Sequence, residues 1–392
     1  MEIKNYLTPA DIYERLPADE VQDWEQYQWG NNIRKHTESG LPKLDGVKLA
    51  IIGIGESRHS LGNEGCNAAP DKVREHFLRL SAIDGVIIAD LGNLILGQTP
   101  MDTYHAVEFV CSELLDKNIV PIIIGGSQDI TFANYLAYQK QQQTVNLVCV
   151  DRKVDLGVSE DTVDNNSYLS NIIQHPSGLL FNLSLVAYQS YFVNEEEIET
   201  LKKMYFDVYR LGHIQSKKEE TEPIVRSADI LSFDISAIRM SDAPASANTT
   251  PNGLYGEEAC QIMRYAGMSD KLSSVGIYEL NPSFDNRGQT AHLAAQMIWY
   301  FLEGFSNRKN DIPDLSGKEY MKYRVAIKAP EHELVFYKSL KTDRWWMEVP
   351  FKVDSKLKFE RHHLVACSYD DYLLACAEEM PDRWWQAFQK LN

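Results

Sequence analysis

Cysteine is scarce in this chain of 392 residues. The six (Cys66, Cys111, Cys149, Cys260, Cys367 and Cys376) form no CxxC pair, which removes any zinc ribbon or disulfide framework and points to free thiols in a reducing compartment. The 22 glycines and 15 prolines are too few for a low-complexity or collagen-like chain. No run approaches the roughly 20 apolar residues that span a bilayer. The opening MEIKNYLTPADIYERL is charged throughout and has no apolar stretch of the secretory type, so the expectation is a cytoplasmic protein with no membrane insertion. Basic charge is also short: 39 Lys and Arg against 56 Asp and Glu give −17. Such a surface repels nucleic acid and anionic lipid. Neither G-x-G-x-x-G nor G-x-x-x-x-G-K-[ST] occurs, because GIGESRHSLGNEG (53–65) carries charged residues where the glycines would stand, and nucleotide binding is not expected.

What is present is a rhythm. Eight apolar, β-rich runs lie between residues 47 and 280: VKLAIIGIG, GVIIAD, NIVPIIIGG, TVNLVCVD, NLSLVAYQS, DVYRL, SADILSFDI and KLSSVGIYEL. Helical stretches such as TYHAVEFVCSELLDK (103–117) and QTAHLAAQMIWYFLEGF (289–305) separate most of them. Strands apolar at nearly every position and divided by helices make a mostly parallel sheet covered on both faces. Residues 1–46 read as a helical segment with Trp24 and Trp29 as anchors, and 47–310 as the α/β domain. Residues 311–392 form a C-terminal α+β extension, where VAIKAP, ELVFYKSL and RWWMEVPF alternate and SYDDYLLACAEEM opens a helix at Ser368. The extension is close to neutral, with 13 basic and 14 acidic residues, and holds four of the seven tryptophans in two copies of DRWW (343–346 and 382–385). Trp and Arg are enriched at interface centres, so the extension is either a contact for a homo-oligomer or protein partner, or a strap over the chain's own apolar surface.

Ligands of parallel α/β proteins sit beyond the carboxyl ends of the strands. The polar residues there are Gln128 in GGSQD (125–129), Asp151, Lys153 and Asp155 in DRKVD (151–155), Asp234 and Ser236 in SFDIS (232–236), and Glu279 in ELNP (279–282). Alternate spacing puts Asp151, Lys153 and Asp155 on one side of an extended chain, and likewise Asp234 and Ser236.

These four stations, in this order, resemble the GG-(D/N)-H-S, D-A-H-x-D, S-x-D-x-D and E-x-N-P motifs of the ureohydrolases, the arginase, agmatinase and formimidoylglutamase family. GNEGCNAAPDKVR (62–74), IADLGN (88–93) and NPSFDNRGQTAHLAAQMI (281–298) add to the likeness, which covers roughly 48–305. It implies a three-layer α/β/α fold with a mostly parallel sheet of about eight strands. It also implies a binuclear manganese site of two His and four Asp, whose bridging hydroxide attacks a guanidinium or formimino carbon. Carried over residue by residue, the two His fall on Gln128 and Lys153 and one Asp falls on Ser236. Asp151, Asp155 and Asp234 keep ligand positions, and Glu279 keeps the position that engages a cationic substrate.

An ammonium is a donor only. Lys153 is therefore read as an internal counter-ion to Asp151, Asp155 or Asp234, and no cofactor is expected. The leading reading is a catalytically inactive, metal-free member of the family that binds a partner or ligand. The alternative is a manganese-dependent, formimidoylglutamase-like hydrolase of linear amidines. A third reading uses the pocket as a metabolite sensor, and one weakly held ion on Gln128, Asp151, Asp155 and Asp234 is also considered. His175 lies where family members place a proton-shuttling His, and is read against a packing role. His59 is a further candidate to line the crest. The pair His362–His363 is read as one on each face of a strand.

Overall fold

The computed structural model describes residues 2–15, 24–158, 162–313, 319–328, 331–351 and 360–392. All eight runs form strands: β3 Leu49–Ile54, β4 Ile88–Leu94, β5 Val120–Gly125, β6 Val145–Val150, β7 Leu180–Tyr188, β8 Asp207–Arg210, β9 Ile230–Asp234 and β10 Ser274–Tyr278. They are parallel throughout. Two short strands before residue 47, β1 Leu7–Thr8 and β2 Arg34–Lys35, both pair with β4. The first 46 residues are thus not simply helical: they extend the sheet, and Trp24 and Trp29 are buried against it. Two-residue strands carry no periodicity, so pattern reading misses them. The order is β1-β4-β3-β5-β10-β9-β6-β7-β8, with β2 off the path. The helix that Pro9–Ala10–Asp11 is expected to open through Leu16 is described as Ile12–Arg15, and Leu16 and Asp23 lie outside the described residues.

Alternation of side chains along the strands feeds two cores. Ile51, Ile122, Ile124, Val148, Leu231, Phe233 and Val275 pack on one face against helices Ala69–Phe77, Gly256–Met268 and Gln289–Ser306. Ile52, Ile123, Leu147, Cys149, Leu183 and Leu185 pack on the other against Pro100–Leu115, Ile130–Leu136 and Tyr168–Ile173. The result is the three-layer arrangement expected of a sheet apolar on both sides. All six cysteines are free thiols and five are buried. Among the described residues no helix is long and apolar enough to cross a membrane.

The extension is a separate antiparallel sheet, β11 Tyr320–Lys328, β12 Glu331–Ser339, β13 Trp345–Glu348 and β14 Leu364–Cys367, with helices Tyr369–Cys376 and Asp382–Leu391. Ser368 caps the first of these through a reciprocal capping box with Asp371. The first DRWW enters a strand and the second opens a helix, so the tetrapeptide is no structural repeat. On β13, Trp345 faces the small core while Trp346 points back to the main domain, 4.3 Å from the Arg226 guanidinium. Trp384 is buried as well, and Trp385 alone is exposed, at 42%. Three of the four tryptophans are therefore spent inside the chain.

Helices Gly256–Met268 and Gln289–Ser306 touch backbone to backbone through two glycines. A Cβ on Gly304 would lie 2.2 Å from the Arg264 carbonyl oxygen, and one on Gly267 2.0 Å from that of Phe301. Gly304→Ala is accordingly expected to cost about 1–3 kcal/mol through overpacking. It should lower the urea midpoint with an unchanged slope, and an unchanged midpoint would contradict this packing.

Candidate functional site

The four stations leave four neighbouring strands, β5, β10, β9 and β6, and meet at the carboxyl edge of the sheet. Each station is fixed by backbone bonds across strand ends. Gly126 N–H donates to Ile54 O at 2.7 Å and Glu279 N–H to Gly126 O at 2.8 Å, while Asp151 N–H donates to Val186 O at 3.0 Å. Gly126 cannot be otherwise, because a Cβ there would sit 2.0 Å from Glu56 O. Asp234 ends β9 and accepts Ser236 N–H at 2.6 Å, which turns the chain at once and carries the Ser236 hydroxyl inward. The residues named from the sequence thus converge at one edge of the sheet. Gln128, Asp151, Asp155, Asp234, Ser236 and Glu279 are all buried, at 4% exposure or less.

Lys153 lies among them. Its ammonium stands 3.0 Å from Asp155 Oδ1 and also donates to Asn166 Oδ1, while its backbone N–H donates to Asp151 Oδ1 at 3.2 Å. Burial opposes the charge on Lys153, but Asp155 and Asp151 outweigh it and hold the pKa above the ordinary lysine value. Burial likewise lifts the carboxyls. Asp151 is pushed well up by burial and by the charges of Asp155 and Asp234. Asp155 rises by burial, against the pull of Lys153, and burial with the Glu279 charge takes Asp234 to about 7. One ammonium thus serves a cluster of like charges that burial alone would neutralise by protonation.

Among the described residues, four buried oxygens of the cluster have no hydrogen-bond partner: Gln128 Oε1, Asp151 Oδ2, Asp155 Oδ2 and Ser236 Oγ. Oxygen of this kind is what a hard cation takes, so a single ion has a partial donor set. A pair of divalent ions does not fit. The two imidazoles are replaced by an amide and an ammonium, one carboxylate by a hydroxyl, and the ammonium is committed to Asp155. Among the described residues no group of three or more His, Cys, Asp or Glu side chains is disposed to hold a metal.

Glu279 is engaged elsewhere. Its carboxylate accepts from Ser60 Oγ at 2.8 Å, Asn63 Nδ2 at 2.8 Å, Gln128 N–H at 2.9 Å and Asn165 Nδ2 at 3.4 Å. Its backbone is left-handed, at φ 63°. The carboxylate assigned to a substrate cation is surrounded by the chain's own donors. Gln128 is similarly fixed, Nε2 donating to Ser232 Oγ at 2.8 Å and Tyr168 OH at 3.2 Å. His175 stands outside the cluster. Its ring makes edge contacts with Phe132 and Tyr135, and Nδ1 is 2.8 Å from Ser177 Oγ, so the structure gives it the packing role. His59 lies closer, Nδ1 3.2 Å from Tyr104 OH, which donates to Asp129 Oδ2. Burial takes the Asp129 pKa to about 7.

The residues that sequence reading missed are Ser60, Asn63, Tyr104, Asn165, Asn166 and Tyr168. The last three belong to DNNSYLS (164–170), a polar stretch without period that reads only as a loop. Its two adjacent asparagines after a strand-and-turn station were the one available signal.

The arginase family model matches residues 47–303. A formimidoylglutamase of Staphylococcus aureus is 24% identical over 285 residues, 69% of this chain and 90% of that protein. Among solved structures, the formiminoglutamase of Trypanosoma cruzi with Mn2+ aligns with a TM-score of 0.65 at 18% identity, over 72% of this chain and 99% of that one. The formimidoylglutamase of Bacillus subtilis aligns with a TM-score of 0.61 at 21% identity, over 66% and 87%. The agmatine ureohydrolase of Thermoplasma volcanium aligns with a TM-score of 0.60 at 19% identity, over 74% and 98%. With the parallel sheet, the four stations at its carboxyl edge and a family match over most of the α/β domain, this chain belongs to the arginase family.

Proposed function

We propose that this arginase-family protein has exchanged metal-dependent hydrolysis for a binding or structural role, with Lys153 standing where the metals of its relatives would be bound. The observation that carries the reading is the 3.0 Å contact between the Lys153 ammonium and Asp155. Two unit charges 4 Å apart interact by about 4 kcal/mol at an effective dielectric of 20, and a divalent ion beside the ammonium meets about twice that repulsion. Three carboxylates and one ammonium sum to −2, too little to neutralise two divalent ions. The engagement of Glu279 by four donors of the chain supports the same reading, since it leaves that carboxylate little capacity for a substrate cation.

A second reading rests on the relatives, which are named formimidoylglutamase. It takes this chain as a manganese-dependent hydrolase of linear amidines, with the unpartnered oxygens of Gln128, Asp151, Asp155 and Ser236 as its remaining donors. A cytoplasmic setting and a homo-oligomer or protein partner complete the proposal. The exposed Trp385 is the one tryptophan of the extension available to such a contact.

Metal analysis separates the two readings. Protein dialysed against manganese and then desalted is expected to retain less than one ion per chain and to release neither formamide nor urea from formimino or guanidino compounds. Close to two ions per chain, or manganese-dependent release, would overturn the leading reading. Lys153→Ala leaves Asp155 unpaired, and for a side chain that keeps 20% exposure the loss should be about 3 kcal/mol, the low end for a broken buried pair. Manganese should then raise the melting temperature of K153A and leave that of the wild type nearly unchanged, because an ion bound only by the folded state stabilises it. A strong wild-type response with an unaffected variant would show that Lys153 does not fill the site. K153H alone is expected to give no detectable hydrolysis; Q128H, K153H and S236D together are the smallest set expected to take up two ions.

A further inference from the structure

A second concave site lies toward the amino ends of β6, β9 and β10, opposite the four stations, in the seam between the α/β domain and the extension. The cavity holds about 240 Å³, slightly below the roughly 300–1,000 Å³ of pockets for drug-sized ligands. Its walls include Phe181, Arg226 and Lys271 from the domain and Arg361, His362 and Lys390 from the extension. The extension lies beyond the family match at 47–303, so this site has no counterpart in that match.

Several cations here are incompletely paired. Lys390 donates to Asn182 Oδ1 at 2.6 Å, and no carboxylate among the described residues pairs with it. Lys271 reaches Asp229 only at 3.8 Å, and Asp229 is already paired with Arg361 and accepts the Asn146 N–H at 2.8 Å. Burial depresses the pKa of Lys390 and takes that of Lys271 to about 8, as expected of cations removed from water without full compensation. Arg226 is 5% exposed. It pairs with Glu222 at 3.0 Å and donates Nη2 to Trp345 O and Cys367 O, yet Nη1 has no hydrogen-bond partner among the described residues. His362, 2% exposed, bonds Thr144 Oγ1 through Nε2 at 2.8 Å, and its Nδ1 has no hydrogen-bond partner among the described residues. It ends a short 3-10 turn, Glu360–His362, instead of lying on a strand.

Of the carboxylates that also line the cavity, Asp207 accepts from Asn182 Nδ2 at 2.7 Å and Ser184 Oγ at 2.9 Å, and Asp311 faces Arg344 at 3.4 Å. Asp270 Oδ2 accepts the Asp311 N–H at 2.9 Å while its Oδ1 has no partner among the described residues, and Glu360 is exposed. The buried donors left over are Arg226 Nη1 and the loosely paired ammonium groups of Lys271 and Lys390. Beside them stands an apolar wall, the Phe181 and His362 rings stacked 3.9 Å apart.

We propose that this seam cavity binds a small organic oxyanion, its carboxylate or phosphate group held by Lys271, Lys390 and Arg226 and its carbon skeleton against the Phe181–His362 pair. Bound there, the anion contacts both parts of the chain and ties the extension to the domain. The proposal is independent of whether the four-station site is catalytic.

Isothermal calorimetry with citrate and with inorganic phosphate, each at constant ionic strength set with sodium chloride, tests it. Calorimetry is preferred to melting because both anions stabilise proteins generally by exclusion from their surface. A saturable 1:1 isotherm is expected for at least one probe, and which one binds distinguishes carboxylate from phosphate recognition. The K271M/K390M double variant should bind that probe at least tenfold more weakly. Should that variant fail to fold, amine-selective acetylation of the wild type read by mass spectrometry serves instead, with the bound probe expected to protect Lys271 and Lys390 at least threefold. Absence of a saturable isotherm for both probes, undiminished affinity in the double variant, or unchanged acetylation would each overturn the proposal.

Discussion

Removing several carboxylates from water at one place demands positive charge at the same place, and the crest of this sheet is organised by that demand. Asp151, Asp155, Asp234 and Glu279 all arrive at the ends of adjacent parallel strands, because a parallel sheet delivers every strand's carboxyl end to one side. Either bound cations or a side chain must answer them. Lys153 does so here from within the second station, at 3.0 Å from Asp155. Asp155 thus finds its counter-charge two residues away in its own segment.

The sheet was legible because strands buried on both faces carry few charged positions, and a largely apolar run of five to nine residues between helices has few other interpretations. Strand ends were legible for a related reason: Asp151, Asp234 and Glu279 are each the first charge after such a run. The partners of those charges were not. Asn165, Asn166 and Tyr168 reach the cluster through loop geometry that no periodicity encodes, and Ser60 and Asn63 meet Glu279 across more than 200 residues of chain. The two edge strands β1 and β2 are too short for any pattern. The strand read at His362–His363 begins just after them, as β14 at Leu364, because ERH is taken up by a 3-10 turn.

The extension shows how a tail of nearly neutral charge is held on a strongly acidic body. Its anchor is mixed: the Arg226 guanidinium lies flat against Trp346 and donates to two backbone carbonyls of β13 and β14. Arg suits that position because its planar face stacks while its edge bonds, which a lysine cannot reproduce. The same side chain then forms part of the seam cavity, so attachment of the extension and the chemistry of the cavity share one residue.

Glu279 has a consequence for how family members are compared. Its carboxylate joins segments around residues 60, 128 and 165 from a backbone held in a left-handed conformation, and so it acts as the keystone of the loops above the sheet. Any replacement of this residue would oblige those loops to reorganise. The presence of the glutamate of ELNP in this chain is therefore accounted for by architecture alone, and its retention is not in itself a mark of catalysis.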